Sequence, residues 1–245
     1  MIKSLSAKNI VVCALVFLAF SSCKKTTSVN KNLPVPDQSF VEEFDTTAAA
    51  VSHGWQLINS SDPKGTGVWM DGGAKPPFFK AYSNKGTNAG FIGADYKSTS
   101  AEAATISNWL ISPSLIMQNG DKIIFYTRSY NQYDGVSDST DYGNSLQVRL
   151  NPTNDQVDVG TGAAVGNFTQ KLLNINPNLV WSSVVIPGVI AYPTQWTRFE
   201  ATVIGVNKPI KSRFAFRYYV TMGGSNGNGT GVGIDSVAYQ SVGHQ

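Results

Sequence analysis

The chain has 245 residues, of which 42% are hydrophobic and only 14% charged, with a formal net charge of +3 at pH 7. That length gives one large β domain or two small ones, and the apolar fraction is that of a globular protein with a buried core rather than a disordered one. The low charge, with Gly, Asn, Ser and Thr filling the gap, suits turn-rich β structure outside the cell and leaves no basic stripe to attract nucleic acid.

The chain opens with a positive start at Lys3 and Lys8, followed by the apolar run "IVVCALVFLAF" over Ile10–Phe20. At about 1.5 Å per residue such a run is too short to cross a ~30 Å hydrocarbon core. It ends on Ser21, Ser22 and Cys23. This predicts a secretory signal over residues 1–22. Its end, "FSSC", resembles a bacterial lipobox. The resemblance implies a lipid on Cys23, a cell-envelope location and contact with the membrane through that lipid only. The other reading is ordinary cleavage that leaves Cys23 free. The only other cysteine, Cys13, lies inside the leader, so the mature domain has no disulfide and no thiolate ligand. Without Lys3 and Lys8, 17 of the 19 basic side chains face 16 acids. Residues 23–37 continue as Cys23 and "KKTTSVNKNLPVPD", polar, with two prolines and no apolar period. They read as a flexible tether, which as a coil spans roughly 20 Å. A single domain over 38–243 follows.

Within that domain strand patterns dominate. The segments "KIIFYTRSY" (122–130), "NSLQVRLN" (144–151), "WTRFEATVIGV" (196–206), "SRFAFRYYV" (212–220) and "VGIDSVAYQ" (232–240) alternate or run apolar and are rich in β-branched and aromatic residues. Asn119-Gly120 marks a turn before the first of these. The one helical pattern is "VGNFTQKLLNI", where Phe168, Leu172 and Ile175 fall at i, i+4 and i+7. Many strands, one short helix and no βαβ rhythm predict an all-β fold, a β-sandwich of antiparallel sheets. The glycine-rich stretch 224–233 leads into a strand and lacks the Lys-Ser/Thr of a phosphate-binding loop, and 158–168 precedes the helical pattern with no βαβ unit around it, so both read as turns.

Several segments form a known series: "VEEFD" (41–45), "GTGVWM" (65–70), "TISNWLISPSLIMQNGDKIIFYTR" (105–128), "VGNFTQKLLNINPNL" (165–179), "YPTQWTRFEATVIG" (192–205) and "GVGIDSVAY" (231–239). In order and spacing they resemble the choice-of-anchor J domain, allied to the cleaved-adhesin and MAM-like modules of secreted bacterial proteins. The resemblance implies a jelly-roll β-sandwich, galactose-binding-like, in an exported binding or adhesion module for glycan or for an envelope or extracellular protein. It implies no defined enzyme activity. The loop 131–143 departs from the pattern by its length and acidity.

Three constellations are candidates for chemistry. In a jelly roll the first and last strands lie side by side, which would bring Glu42, in phase with the core residue Phe44, near Asp235. Two carboxylates and backbone carbonyls suit Ca²⁺, and related jelly rolls look similar in using a structural calcium there. The plainer reading has Glu42 bound to backbone amides or an arginine and Asp235 capping a turn. Asp134, Asp138 and Asp141 form a second acidic group. Alternation also places Arg128, Arg149 and Arg217 on the faces of their strands opposite the core. If those strands share one sheet, three guanidiniums converge beside Tyr126 and Tyr219 on a surface fit for an acidic sugar or peptide carboxylate. The alternative is cross-strand ion pairs and stems covering apolar surface. Of the five tryptophans, Trp55, Trp69, Trp109, Trp181 and Trp196, most read as core, and Phe78-Phe79 reads as an exposed loop pair. Catalysis has little to work with. The mature histidines are His53 and His244, no nucleophile elbow is present, and no pair of acids stands out for a carbohydrate-active hydrolase. A purely structural adhesive scaffold is the remaining alternative.

Overall fold

The structure, a computed structural model, describes residues 36–83, 89–131, 141–181 and 191–242. The leader, Cys23, nearly all of the tether, Asp134, Asp138 and His244 lie outside the described residues. The chain divides into two units, Met1–Leu33 and Pro34–Gln245, and everything described below belongs to the second.

Thirteen strands are described: β1 (Phe40–Glu42), β2 (Gln56–Asn59), β3 (Met70–Asp71), β4 (Ile92–Asp95), β5 (Ala104–Ile111), β6 (Leu115–Met117), β7 (Lys122–Ser129), β8 (Leu146–Leu150), β9 (Gln170–Ile175), β10 (Thr197–Thr202), β11 (Ile210–Ser212), β12 (Phe214–Gly223) and β13 (Gly231–Gln240). One sheet runs β10-β7-β13-β4-β3, with β1 also paired to β13; the other runs β2-β5-β12-β8-β9. A ribbon of β6 and β11 lies apart from both, and all the pairings are antiparallel. All five strands read from alternation are present. So is the expected meeting of the chain's two ends, with Phe40 opposite Tyr239 and Glu42 opposite Val237.

The two sheets close on one apolar layer. Along β7, Ile123, Phe125 and Thr127 are buried while Lys122, Tyr126 and Arg128 are not, which is the period of two that a half-buried strand requires. Phe125 meets Phe216 of the other sheet at 4.8 Å between ring centroids. Trp55 fills the centre of this end of the core, edge-on to Phe44 at 5.0 Å and to Phe214 at 5.7 Å. Burying each such ring stabilises the fold by roughly 1.5–3 kcal/mol. The outer face of the second sheet is also covered: Trp109, Ile111 and Ala215 pack under Val159 and Phe168 of the following loop.

The helix is not where the sequence period placed it. Residues 170–175 form β9, paired to β8, with a bulge that sets Leu173 opposite Val148 and Lys171 opposite Arg149. The extra residue, Leu172, breaks the alternation, so apolar side chains recur at a spacing that mimics a helix face. Phe168 belongs to the loop and packs on Trp109 at 5.5 Å. The described helix is α1 (Thr47–Ser52), six residues capped by Thr46, whose hydroxyl accepts the Ala49 N–H at 3.1 Å. Asp71 accepts from both the backbone N–H and the hydroxyl of Thr47.

Candidate functional site

The carboxylate of the last strand is buried completely, and its work is visible in its partners. Asp235 Oδ2 accepts the backbone N–H groups of Tyr82, at 2.8 Å, and Ser83, at 3.0 Å. Its Oδ1 accepts the Ser83 hydroxyl at 2.8 Å and the Ser236 N–H at 2.7 Å. Burial raises the pKa of this carboxyl while those hydrogen bonds pull it back down. The same strand gives segment 72–83 its floor. A Cβ on Gly231 would lie 2.8 Å from the Phe78 ring, and one on Gly233 2.8 Å from the Phe79 ring. Any side chain there would push the two rings off the strand. Phe78 stacks on Tyr130 at 4.6 Å and Phe79 on Phe91 at 4.7 Å. The Phe78-Phe79 pair, expected to be exposed, is therefore half-buried and packed.

Glu42 is turned elsewhere. Its Oε2 lies 2.8 Å from His53 Nδ1, and its Oε1 accepts the Phe44 N–H at 3.2 Å. Of the neighbouring acids it is Glu43 that meets the Asp235 surroundings. Its backbone carbonyl accepts the Ser83 hydroxyl at 3.4 Å, and its Oε2 is buried without a hydrogen-bond partner. Phe44 and Ser236, on either side of this spot, have φ of +52° and +49°, a region costly for residues with a Cβ. The Asp235 carboxylate, the Glu43 carbonyl and the Ser83 hydroxyl are hard donors of the kind Ca²⁺ takes, although each Asp235 oxygen already accepts two hydrogen bonds. Among the described residues no three of His, Cys, Asp and Glu come together.

The arginines do not converge. Arg128 stands on β7, in the first sheet, while Arg149 and Arg217 stand on β8 and β12, in the second. The condition for a shared arginine face therefore fails. The Arg128 guanidinium lies over Phe79 at 4.3 Å, and Tyr126 stacks on Tyr82 at 3.7 Å. Arg149 donates to Gln147 Oε1 at 2.7 Å and to the Phe168 carbonyl at 3.0 Å. Arg217 is only 1% exposed. It lies between Trp109 and Tyr219, at 4.8 and 4.0 Å, and donates to the carbonyls of Gly162 and Ala164 at 2.6 and 3.0 Å. Burial, reinforced by the nearby charge of Arg149, lowers its pKa to about 9. This residue faces away from the core, as alternation requires, but a loop lies over it, and it locks that loop rather than meeting solvent.

Among the described residues, a space of ligand size lies where β12 turns into β13. A cleft of about 580 Å³ opens there between Tyr96, Tyr142, Trp181, Met222, Asn226 and Asn228. Its size falls within the roughly 300–1,000 Å³ of small-molecule sites. The turn is held by Asn228, whose N–H donates to the Met222 carbonyl at 2.7 Å and whose side-chain oxygen accepts the Trp181 indole N–H at 3.1 Å. Trp181 meets Tyr142 edge-on at 5.0 Å, and the Tyr142 carbonyl accepts the Gly229 N–H at 2.7 Å. Beneath the turn, buried Asn144 accepts the N–H groups of Thr230 and Gly231, at 3.1 and 3.0 Å, and the Tyr218 hydroxyl at 2.7 Å. Its amide also donates to Asp141, whose carboxyl burial pushes up to about 7. The floor is thus fixed from below, while Trp181 is 38% and Met222 62% exposed. Trp55, Trp69 and Trp109 are core as expected; Trp181 is not. The expected turns over 224–233 are present over 224–230, while 231–233 open β13; the partners that make a cleft of them come from residues 96, 142 and 181, far apart along the chain.

The same architecture occurs in adhesin domains of Lys-gingipain from Porphyromonas gingivalis W83. The crystal structure of its K1 cleaved adhesin domain aligns with 84% of this chain and 99% of its own, at 21% identity and a TM-score of 0.51. The K3 domain aligns with 84% of this chain and 100% of its own, at 15% identity and a TM-score of 0.52. No family model matches the chain, and no curated protein does. At these identities the likeness is one of fold: a jelly-roll β-sandwich.

Proposed function

We propose that this protein is a lipid-anchored binding and adhesion module of the bacterial cell envelope, of choice-of-anchor J type, whose end cleft takes a glycan. The observation that carries the reading is the cleft's chemistry. Aromatic walls, exposed Trp181 with half-buried Tyr142 and Tyr96, stand beside the neutral side chains of Asn226, Asn228 and Ser225. Sugar rings present apolar C–H faces that stack on such walls and hydroxyls that bond amides. The gingipain domains are called adhesins, in keeping with binding rather than turnover. None of the described residues lining the cleft is a carboxylate.

Calcium belongs to the same proposal as a structural ion. Glu43 and Asp235 would hold it with the Glu43 carbonyl and the Ser83 hydroxyl, in place of the Glu42–Asp235 pair expected from the sequence. It would neutralise the buried Asp235 carboxylate and the half-buried Glu43.

Binding of a protein partner is the second reading, favoured by the exposure of Met222 beside Trp181. A thermal-shift panel of glycans distinguishes the two. One sugar class should raise the melting temperature of the wild type, and Trp181→Ala should abolish the rise without lowering the unliganded melt by more than a few degrees. No response to any glycan would leave the protein-binding reading.

A further inference from the structure

A second groove, of about 230 Å³, runs beside the cleft between Thr66, Tyr96, Lys97, Ser100 and Ser225. Tyr96 and Ser225 line both spaces, so the two adjoin at one aromatic ring. Their linings differ in charge. The cleft side is neutral, and among the described residues lining either space Lys97 alone is charged. Lys97 is exposed, and its ammonium lies 5.9 Å from the centre of the Tyr96 ring. No described acid is within ion-pair distance of it. Its neighbour Asp95 is buried and has a carboxylate oxygen turned to the Lys97 backbone N–H at 3.0 Å. Glu102 receives the Asn226 N–H on its carbonyl but lines neither space.

We propose, building on the glycan reading, that cleft and groove form one track for a linear acidic oligosaccharide, with a neutral unit against Trp181 and Tyr142 and an anionic unit at Lys97. The anion is a carboxylate or a sulfate ester; a lysine ammonium reads either as a point charge. A chain laid across Tyr96 places its successive rings on two adjoining surfaces, so affinity grows with the number of linked units.

Calorimetric titration of the mature protein tests this with hyaluronan, alginate and chondroitin sulfate oligosaccharides, as disaccharides and as hexasaccharides. Each is paired with its carboxyl-reduced form, and the chondroitin sulfate also with its desulfated form. At least one acidic hexasaccharide should bind about tenfold more tightly than its neutralised counterpart and more tightly than its own disaccharide. Lys97→Gln should bring the acidic probe down to the level of the neutral one, and Lys171→Gln, an exposed lysine on β9, should leave the preference intact. Reduction of the carboxyl and removal of the sulfate tell the two anions apart. If glycans bind and Trp181→Ala abolishes the binding, but Lys97→Gln does not change the acidic-to-neutral ratio, the track is wrong while the cleft stands. If Trp181→Ala binds as the wild type does, or no probe binds at all, both fall.

Discussion

Asp95 closes β4 and caps the turn that carries Tyr96, the ring shared by cleft and groove. Its carboxylate accepts the Lys97 N–H, and burial pushes its pKa from 3.8 up to about 6. Between those values the folded chain keeps a proton that the unfolded chain has released. Stability from this group is therefore fully present below about pH 4 and falls as pH rises toward 6. Two pKa units correspond to roughly 3 kcal/mol. Asn in its place keeps an acceptor for the Lys97 amide and removes the titration. Asp95→Asn should thus melt higher than the wild type at pH 7 and with a flatter slope from pH 4 to 6. Asp141, raised in the same direction to about 7, leaves a residual slope in the variant. Superimposable wild-type and variant profiles would show that Asp95 does not titrate as its burial requires. Arg217 carries a related lesson. Alternation along "FAFRYY" gives its face correctly, yet the face is covered by a loop whose path no local pattern records.

At the scale of the element, β13 is a track for another segment of the chain. Gly231 and Gly233 leave room for two rings, and Asp235 grips the backbone beyond them. Just past Asp235 the pairing with β7 slips by one residue, where β13 leaves β4 and takes up β1. A bulge with a left-handed Ser236 accommodates that change of partner. If calcium joins Glu43 to Asp235, a chelator should lower the wild-type melting temperature by about 5–10 °C, the effect of a ligand present at roughly a hundred times its dissociation constant. Glu43→Gln and Asp235→Asn should each melt alike with and without chelator. A wild type indifferent to chelation would mean that the Ser83–Asp235 hydrogen bonds hold the segment alone. Much of this level was legible from the sequence: five strands from alternation, the pairing of the ends, the core phase of Glu42. The misreadings have physical causes. The β9 bulge imitated a helix period, and α1 is too short and Ala-rich to show a face. The cleft was illegible because its walls come from three separate segments.

Over the whole of the second unit, β13 connects two poles. At one end Gly231 follows directly on the cleft turn; at the other Gln240 leads to Ser241, whose N–H donates to the Ser39 hydroxyl at 3.0 Å. Ten residues of strand at about 3.3 Å each separate these ends by roughly 30 Å. The chain enters the domain at Ser39 and Phe40, so the cleft occupies the pole opposite the entry point. A lipid on Cys23, reached through residues 24–37, would hold the domain by its entry pole and leave the cleft clear of the attachment. Full-length protein made in a bacterial host should incorporate labelled fatty acid and partition into membrane vesicles, and Cys23→Ser should do neither. Vesicles carrying the wild type should then capture beads coated with the glycan found in the thermal-shift panel, whereas vesicles carrying Trp181→Ala should not. Protein that is lipidated and binds free glycan, yet cannot capture the beads, would contradict this placement.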